Sequence, residues 1–255
     1  RITETAIPGL LIIDLDVHGD NRGWFKENWQ REKFTGLAPE LASFQPVQNN
    51  ISFNHTGATR GLHAEPWDKL VSVAQGRIFG AWCDLREGSE SFGEVVTHEV
   101  GPETAVFVPR GVANGFQALE ETSYCYLVNE HWSAEARYAA VNLNIVDWPL
   151  EPTEISEKDK QHPALKDVSP MPARRILVTG ANGQLGRALK RLLADAELCT
   201  HADFDITDPP ERNWKQYSAI INCAAYNDVN GAENDRATAW AVNAEAPARL
   251  ARIAA

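Results

Sequence analysis

Between residue 10 and about residue 150 the apolar positions fall in short runs rich in Val, Ile and aromatic side chains. GLLIIDLDV (9–17), KLVSVAQGRIFGAWCDL (69–85), EVVTHEV (94–100), TAVFVP (104–109) and TSYCYLVNE (122–130) are bounded by GDNRG, REGSESFG, GPET and PRGVANG. β-Branched and aromatic residues suit a pleated surface, and the Gly- and Pro-bearing segments reverse the chain. The spacing therefore predicts many short strands in a sandwich or barrel. Residues 23–43 break the rhythm and predict a helical or irregular insertion.

The pattern changes twice more. Residues 149–173 hold five prolines and many charges, which predicts a chain that wraps a surface and then links domains. From residue 174 the periods alternate. RRILVTG (174–180) and SAIINCAAY (218–226) predict buried strands, whereas QLGRALKRLLADA (184–196) and the Ala-rich 234–255 predict helices. Strand–helix alternation is the mark of a parallel α/β sheet. The division is thus a β domain over 1–150, a wrapping segment and linker over 151–173, and the start of an α/β domain over 174–255.

Composition narrows the function. With 44% hydrophobic residues and eight Trp, the 255-residue chain can build real cores. A net charge of −11 argues against nucleic acid, yet a few local Arg residues could still hold a phosphorylated small molecule. The four cysteines lack CxxC spacing, and Cys83 and Cys125 sit in apolar runs as small hydrophobes. No apolar stretch reaches the ~18 residues of a membrane span and the start has no signal-peptide profile, so a cytoplasmic protein is expected. The final predicted helix runs to the last residue, which reads as a domain cut short.

ILVTGANGQLG places Gly180, Gly183 and Gly186 after a strand and at the mouth of a helix, with an acidic DFDITD segment about 20 residues on. Glycines there permit a tight turn and let a pyrophosphate approach backbone N–H groups. The reading from spacing alone is a dinucleotide cradle, with an ordinary strand–helix turn as the alternative. GANGQLG, DFDITD and INCAAYNDVNGAE resemble the N-terminal part of the dTDP-4-dehydrorhamnose reductases, which are extended short-chain dehydrogenases. That resemblance implies that Gly183, Gln184 and Leu185 line the pyrophosphate, Asp205 and Ile206 the adenine, and Ala224, Ala225 and Tyr226 the nicotinamide ribose. It implies NAD(P)H, since HADFDITD offers no Arg that would select a 2′-phosphate. The family's Tyr-x-x-x-Lys dyad does not occur between Gly180 and Ala255, so no reductase chemistry is expected from these residues alone.

In the first half, ATRGLHAEPWDKL holds His63 six residues before Lys69. Taken by itself, a single His in a β domain is more often structural. A metal role lacks support because His63-Ala64-Glu65 has no second His beside it, and His55, His98 and His131 lack ligand-like spacing. Further along, GDNRGWFKE, VQNNISFN, RGLH, KLVSVAQG, FGEVV, VFVPRGVANGF, DWP and ISEKD occur in the order seen in dTDP-4-dehydrorhamnose 3,5-epimerases, which this chain resembles over roughly residues 5–168. The resemblance implies a metal-free, cofactor-free cupin (jelly-roll) barrel, a homodimer through that domain, and a dTDP-4-keto-6-deoxy sugar as substrate. It assigns His63 as base, Asp159 as its partner and Lys69 to the C4 oxygen. It places Arg22 and Arg60 on the diphosphate, with Phe25, Glu27, Gln48 and Asn50 as further contacts. The bland alternatives are a solvated Asp159 in a linker, Lys69 paired with Asp68 or Glu65, and Arg22 as a turn residue.

Two positions depart from the family. The tyrosine expected six residues after strand residue Tyr126 is Trp132, whose indole cannot deliver a proton. Asn114 stands where His is usual. Three readings follow: a 3,5-epimerase whose second proton comes from His131, Tyr138, Tyr124 or water; a single-carbon epimerase or 3,4-ketoisomerase; or a non-catalytic sugar-nucleotide-binding scaffold.

Overall fold

The computed structural model describes residues 1–134 and 136–254. Contacts divide the chain into two units, Arg1–Pro172 and Ala173–Ala255.

The first unit is a two-sheet antiparallel barrel. Its strands are β1 (Ile2–Glu4), β2 (Leu11–Asp14), β3 (Val17–Asp20), β4 (Gly23–Lys26), β5 (Gln48–Asn54), β6 (Thr59–Ala64), β7 (Lys69–Gln75), β8 (Ile78–Asp84), β9 (Val95–Val100), β10 (Thr104–Val108), β11 (Val112–Ala118), β12 (Thr122–Val128) and β13 (Ala139–Ala140). One sheet runs β1-β2-β10-β7-β12-β5, the other β13-β6-β11-β8-β9, and β3 pairs only with β4. Val71, Val73, Trp82, Val106, Val112, Phe116 and Tyr124 from the facing sheets fill the space between them. Side chains alternate along a strand, so the neighbours Leu70, Ala105 and Phe107 emerge on the outer face. There Phe34, Leu41 and Phe44 cover them, on and beside two short helices, α1 (Arg31–Thr35) and α2 (Pro39–Ala42). Burial on both faces explains why β10 reads TAVFV, four apolar residues after the buried Thr104. Each fully buried side chain of this size stabilises the fold by about 1.5–3 kcal/mol.

The outer face of the second sheet is covered by residues 141–171, which run into the Pro-rich stretch. Val141, Leu143, Val146 and Met171 pack on Leu62, Ala81 and Cys83. Residues 141–171 are therefore part of the first unit's core. That packing carries α3 (Glu157–Lys160) to the barrel, capped by Ser156, whose hydroxyl accepts from the Asp159 N–H.

Several expectations need correction. The stretch 23–43, expected to be helical or irregular, carries α1 and α2 but opens with a strand, because β4 closes a hairpin on β3. PRGVANG is only in part a turn: Val112–Ala118 is a fully buried strand whose Gly and Asn hide its apolar alternation. Among the described residues no helix is long and apolar enough to cross a membrane.

The second unit has a three-stranded parallel sheet, β15-β14-β16 (β14 Arg175–Thr179, β15 Glu197–Cys199, β16 Tyr217–Asn222). Its core is Leu177, Cys199, Phe204, Ile206, Tyr217 and Leu250. The helix predicted over 184–196 is regular only over α4 (Gln184–Leu189), and Leu192 beyond it is exposed. The helix predicted over 234–255 is continuous over 236–254, as α6 (Arg236–Trp240), a π turn over Ala241–Glu245 and α7 (Ala246–Ala254), and a short helix, α5 (Val229–Asn234), precedes it. Asp235 caps α6 by accepting from Thr238 N–H and so separates it from α5.

Candidate active site

One cleft in the barrel, about 480 Å³, collects His63, Lys69, Asp159 and Arg60. Its floor depends on two glycines. A Cβ on Gly61 would lie 2.5 Å from the Gly115 Cα, so only glycine lets β6 and β11 approach this closely. Their register shifts between Asn114 and Phe116, opposite this point. Alternation along β6 sends Leu62 and Ala64 into the outer core and leaves Gly61 and His63 lining the cleft.

His63 Nε2 lies 2.8 Å from Asp159 Oδ1, and Gly61 N–H donates to Oδ2 at 3.1 Å. Asp159 is buried. Burial alone would push its carboxyl up, but hydrogen bonds from His63, Gly61 and Ser156 outweigh that and hold it at about 2. A carboxylate only accepts, so neutral His63 keeps its proton on Nε2 and Nδ1 is the nitrogen left to act as a base.

Lys69, at the start of β7, is buried and ion-paired with Glu65, with its Nζ 5.2 Å from the Tyr126 ring centroid. Arg60 lines the same cleft and donates to Asn54 Oδ1 at 2.7 Å. Asn50 lines it from β5, where Gln48 donates to the Asn50 side chain at 2.9 Å. Asn114 is buried and accepts from Trp82 Nε1 at 2.9 Å while donating to the Tyr124 hydroxyl at 3.1 Å.

Other named residues lie elsewhere. Arg22 is exposed and bonds Asp20 within the β3–β4 hairpin. Phe25 is 65% exposed on the same hairpin, and Glu27 pairs with Lys33. Trp132 is also 65% exposed, and its backbone N–H donates to Gln48 Oε1 at 3.2 Å. Of the suggested proton donors, Tyr124 is committed to Asn114 and Tyr138 donates to the Ser133 carbonyl.

Tyr126 lines the cleft itself. Burial raises its phenol, with the nearby Glu65 charge adding to the effect, so it stays protonated near neutral pH. Sequence reasoning used Tyr126 only as a counting mark. The signal was there: Tyr124, Tyr126 and Val128 alternate on one face of β12, opposite Ser52, Asn50 and Gln48.

In the second unit a separate cavity of about 570 Å³ is lined by Gly180, Gly183, Asp205, Ile206, Ala224, Ala225 and Tyr226, among others. Gly180 has φ +65°, and a Cβ there would lie 2.5 Å from Ala224 N. A Cβ on Gly186 would meet Ala181 Cα at 2.6 Å, so this glycine permits close packing behind the loop. Gln184 and Leu185 open α4 beside the cavity, and Leu185 is exposed. Asp205 accepts from the hydroxyl and backbone N–H of Thr207, which hold its carboxyl below the usual range.

Comparison with known proteins gives two families along the chain. Residues 174–255 match the RmlD substrate binding domain. Over 89 residues there is 46% identity to a dTDP-4-dehydrorhamnose reductase of Mycobacterium tuberculosis, a match spanning 32% of this chain and 29% of the reductase. Residues 4–167 match the dTDP-4-dehydrorhamnose 3,5-epimerase model. A Streptococcus pyogenes protein named as an RmlC homolog is 52% identical over 176 residues, 65% of this chain and 89% of that protein. RmlC from Streptococcus suis, solved with dTDP-D-xylose, aligns with a TM-score of 0.61 and 47% identity over 67% of this chain and 94% of that one. RmlC from Legionella pneumophila, solved with dTDP-4-keto-L-rhamnose, aligns with a TM-score of 0.60 and 31% identity over 66% and 93%. With its barrel, its His63–Asp159 pair and this breadth of similarity, the chain belongs to the dTDP-4-dehydrorhamnose 3,5-epimerase family and continues into a partial match to the RmlD family.

Proposed function

We propose that the first unit epimerises C3 and C5 of dTDP-4-dehydro-6-deoxyglucose. The observation that carries this reading is the 2.8 Å His63–Asp159 pair beside a buried lysine and a phenol in one cleft. Both carbons are α to the C4 ketone. His63 Nδ1 takes the proton from the carbon, and the C–H electron pair moves onto the C4 oxygen as an enolate. Asp159 stabilises the imidazolium so formed. Lys69 offers its ammonium to the enolate oxygen, a charge placed where negative charge develops. The electron pair then returns to the carbon, which takes the phenol proton of Tyr126. Solvent resets the imidazolium and phenolate between the two carbons. Trp132, lacking a titratable proton, takes no part in that transfer.

Arg60 and Lys158, both lining the cleft, suit the diphosphate. A homodimer accounts for the placement of Arg22, Phe25 and Glu27 outside this cleft. Trp24 and Phe25 on the hairpin and Ile51 and Phe53 on edge strand β5 are exposed apolar residues that a second copy would cover. The second unit's glycine cradle suits NAD(P)H, since no Cβ would fit at Gly180 or Gly186. When bound, that cofactor supplies hydride. Gly180 and Gly183 would admit the pyrophosphate, with Asp205, Ile206 and Tyr226 around the nucleosides. No reductase step is assigned to these residues.

The direct test is incubation with dTDP-4-dehydro-6-deoxyglucose and proton NMR of the sugar. Inversion at both carbons supports the reading. Inversion at one would establish a single-carbon epimerase, and binding without inversion a scaffold.

A further inference from the structure

Behind the His63–Asp159 pair lies a third group that the epimerase chemistry leaves unused. His162 follows α3, and its side chain is 7% exposed. Its Nδ1 lies 3.1 Å from the Gly61 carbonyl oxygen. A carbonyl only accepts, so the proton sits on Nδ1 and Nε2 presents a lone pair. That Nε2 is buried with no hydrogen-bond partner, and it stands 3.8 Å from Asp159 Oδ1. A buried lone pair facing a carboxylate oxygen is unfavourable unless something positive comes between them. The two imidazoles stand edge to face, with centroids 4.9 Å apart. The ligand atoms of His63, Asp159 and His162 all lie within 4.8 Å of one another.

We propose that His63, Asp159 and His162 form a site for a divalent transition-metal ion of the Zn²⁺ class, and that its occupancy inhibits proton transfer. Two imidazoles and one carboxylate select such an ion over Mg²⁺ or Ca²⁺, which prefer all-oxygen shells. The Gly61 carbonyl acts as the outer partner that fixes the His162 tautomer, as backbone acceptors do for ligating histidines. Coordination through His63 Nε2 displaces the proton held there to solvent. That proton passes through solvent to Nδ1, where it blocks the atom needed as base. No net proton is lost, and no redox change occurs.

The inhibition rests on the reading of His63 as the base; the coordination does not. The experiment therefore has two readouts on the full chain. Co²⁺ titration followed by ligand-field absorption should show one ion per chain, with apparent affinity falling at least about tenfold in both His162→Ala and His162→Gln. Gln keeps the volume, so it decides the matter if the Ala variant fails to fold. Zn²⁺ should suppress solvent deuterium uptake into the sugar by the unsubstituted chain. In His162→Gln, normalised to its own metal-free rate, that suppression should need at least about tenfold more Zn²⁺. Absence of saturable one-to-one Co²⁺ binding, or equal affinity in His162→Gln, overturns the proposal. A cobalt spectrum without any metal-free deuterium uptake would retain the site and refute the epimerase reading.

Discussion

Nε2 of His63 and Oδ1 of Asp159 stand 2.8 Å apart although 96 positions separate them in the chain. The contact exists because residues 141–171 pack Val141, Val146 and Met171 onto the outer face of the second sheet and so deliver α3 to β6. The His63–Asp159 pair is thereby coupled to the folding of residues 141–171.

Asp159→Asn keeps the shape and removes the charge. Turnover should fall by about 10²-fold or more, because the imidazolium loses its counter-charge. The same substitution has a pH signature. The carboxyl is held at about 2 in the fold against an ordinary 3.8, so its stabilisation is complete above about pH 4 and lost as pH falls towards 2. Urea unfolding should show the unsubstituted chain losing roughly 2 kcal/mol more than Asp159→Asn between pH 5 and pH 2. Equal losses would show that the carboxylate carries no such linkage.

Tyr126→Phe separates removal of a proton from its return. Deprotonation by His63 should continue, so deuterium should enter from solvent, while inversion falls by about 10²-fold or more. The check is NMR of label and configuration in the same sample. Inversion at the original rate would remove Tyr126 from the mechanism.

The placement of Arg22 and Phe25 makes a prediction about assembly. A variant with both residues changed to Ala and a separate His63→Ala variant should each be inactive. Mixed and allowed to exchange subunits, they should regain activity, since one cleft per mixed dimer would be intact. Light scattering should report a dimer in both. Failure of complementation would return the hairpin to its own protomer's site.

Gly180→Ala tests the second unit alone. The residue has φ +65°, and the added Cβ would sit 2.5 Å from Ala224 N. NAD(P)H affinity measured by fluorescence should fall by at least about tenfold, roughly 1.4 kcal/mol. Epimerisation by the first unit should be unchanged.

Much of this was legible in the sequence, and the misses have physical causes. The run TAVFV announces itself because a strand buried on both faces is apolar at nearly every position, and ILV in RILVT gives the same signal over a shorter length. VANGFQA conceals an equally buried strand because Asn114, Gly115 and Gln117 satisfy close packing and buried hydrogen bonds rather than hydrophobicity. The Ala-rich run after residue 234 is legible as a helix, and its start is fixed by the side chain of Asp235, which accepts from Thr238 N–H. In the site, family motifs pointed to His63, Asp159 and Lys69, but Tyr126 and His162 acquire meaning only from what the fold sets around them. Tyr126 needs the inner face of β12, and His162 needs the Gly61 carbonyl 101 positions away.

The central claim is that His63 removes protons next to a ketone, and solvent isotope uptake tests it most directly. In deuterated buffer the unsubstituted chain should place deuterium at both C3 and C5 of dTDP-4-dehydro-6-deoxyglucose, and His63→Ala should lower both rates by about 10²–10⁴-fold. Undiminished uptake in His63→Ala, or none in the unsubstituted chain with nucleotide bound, would contradict the account.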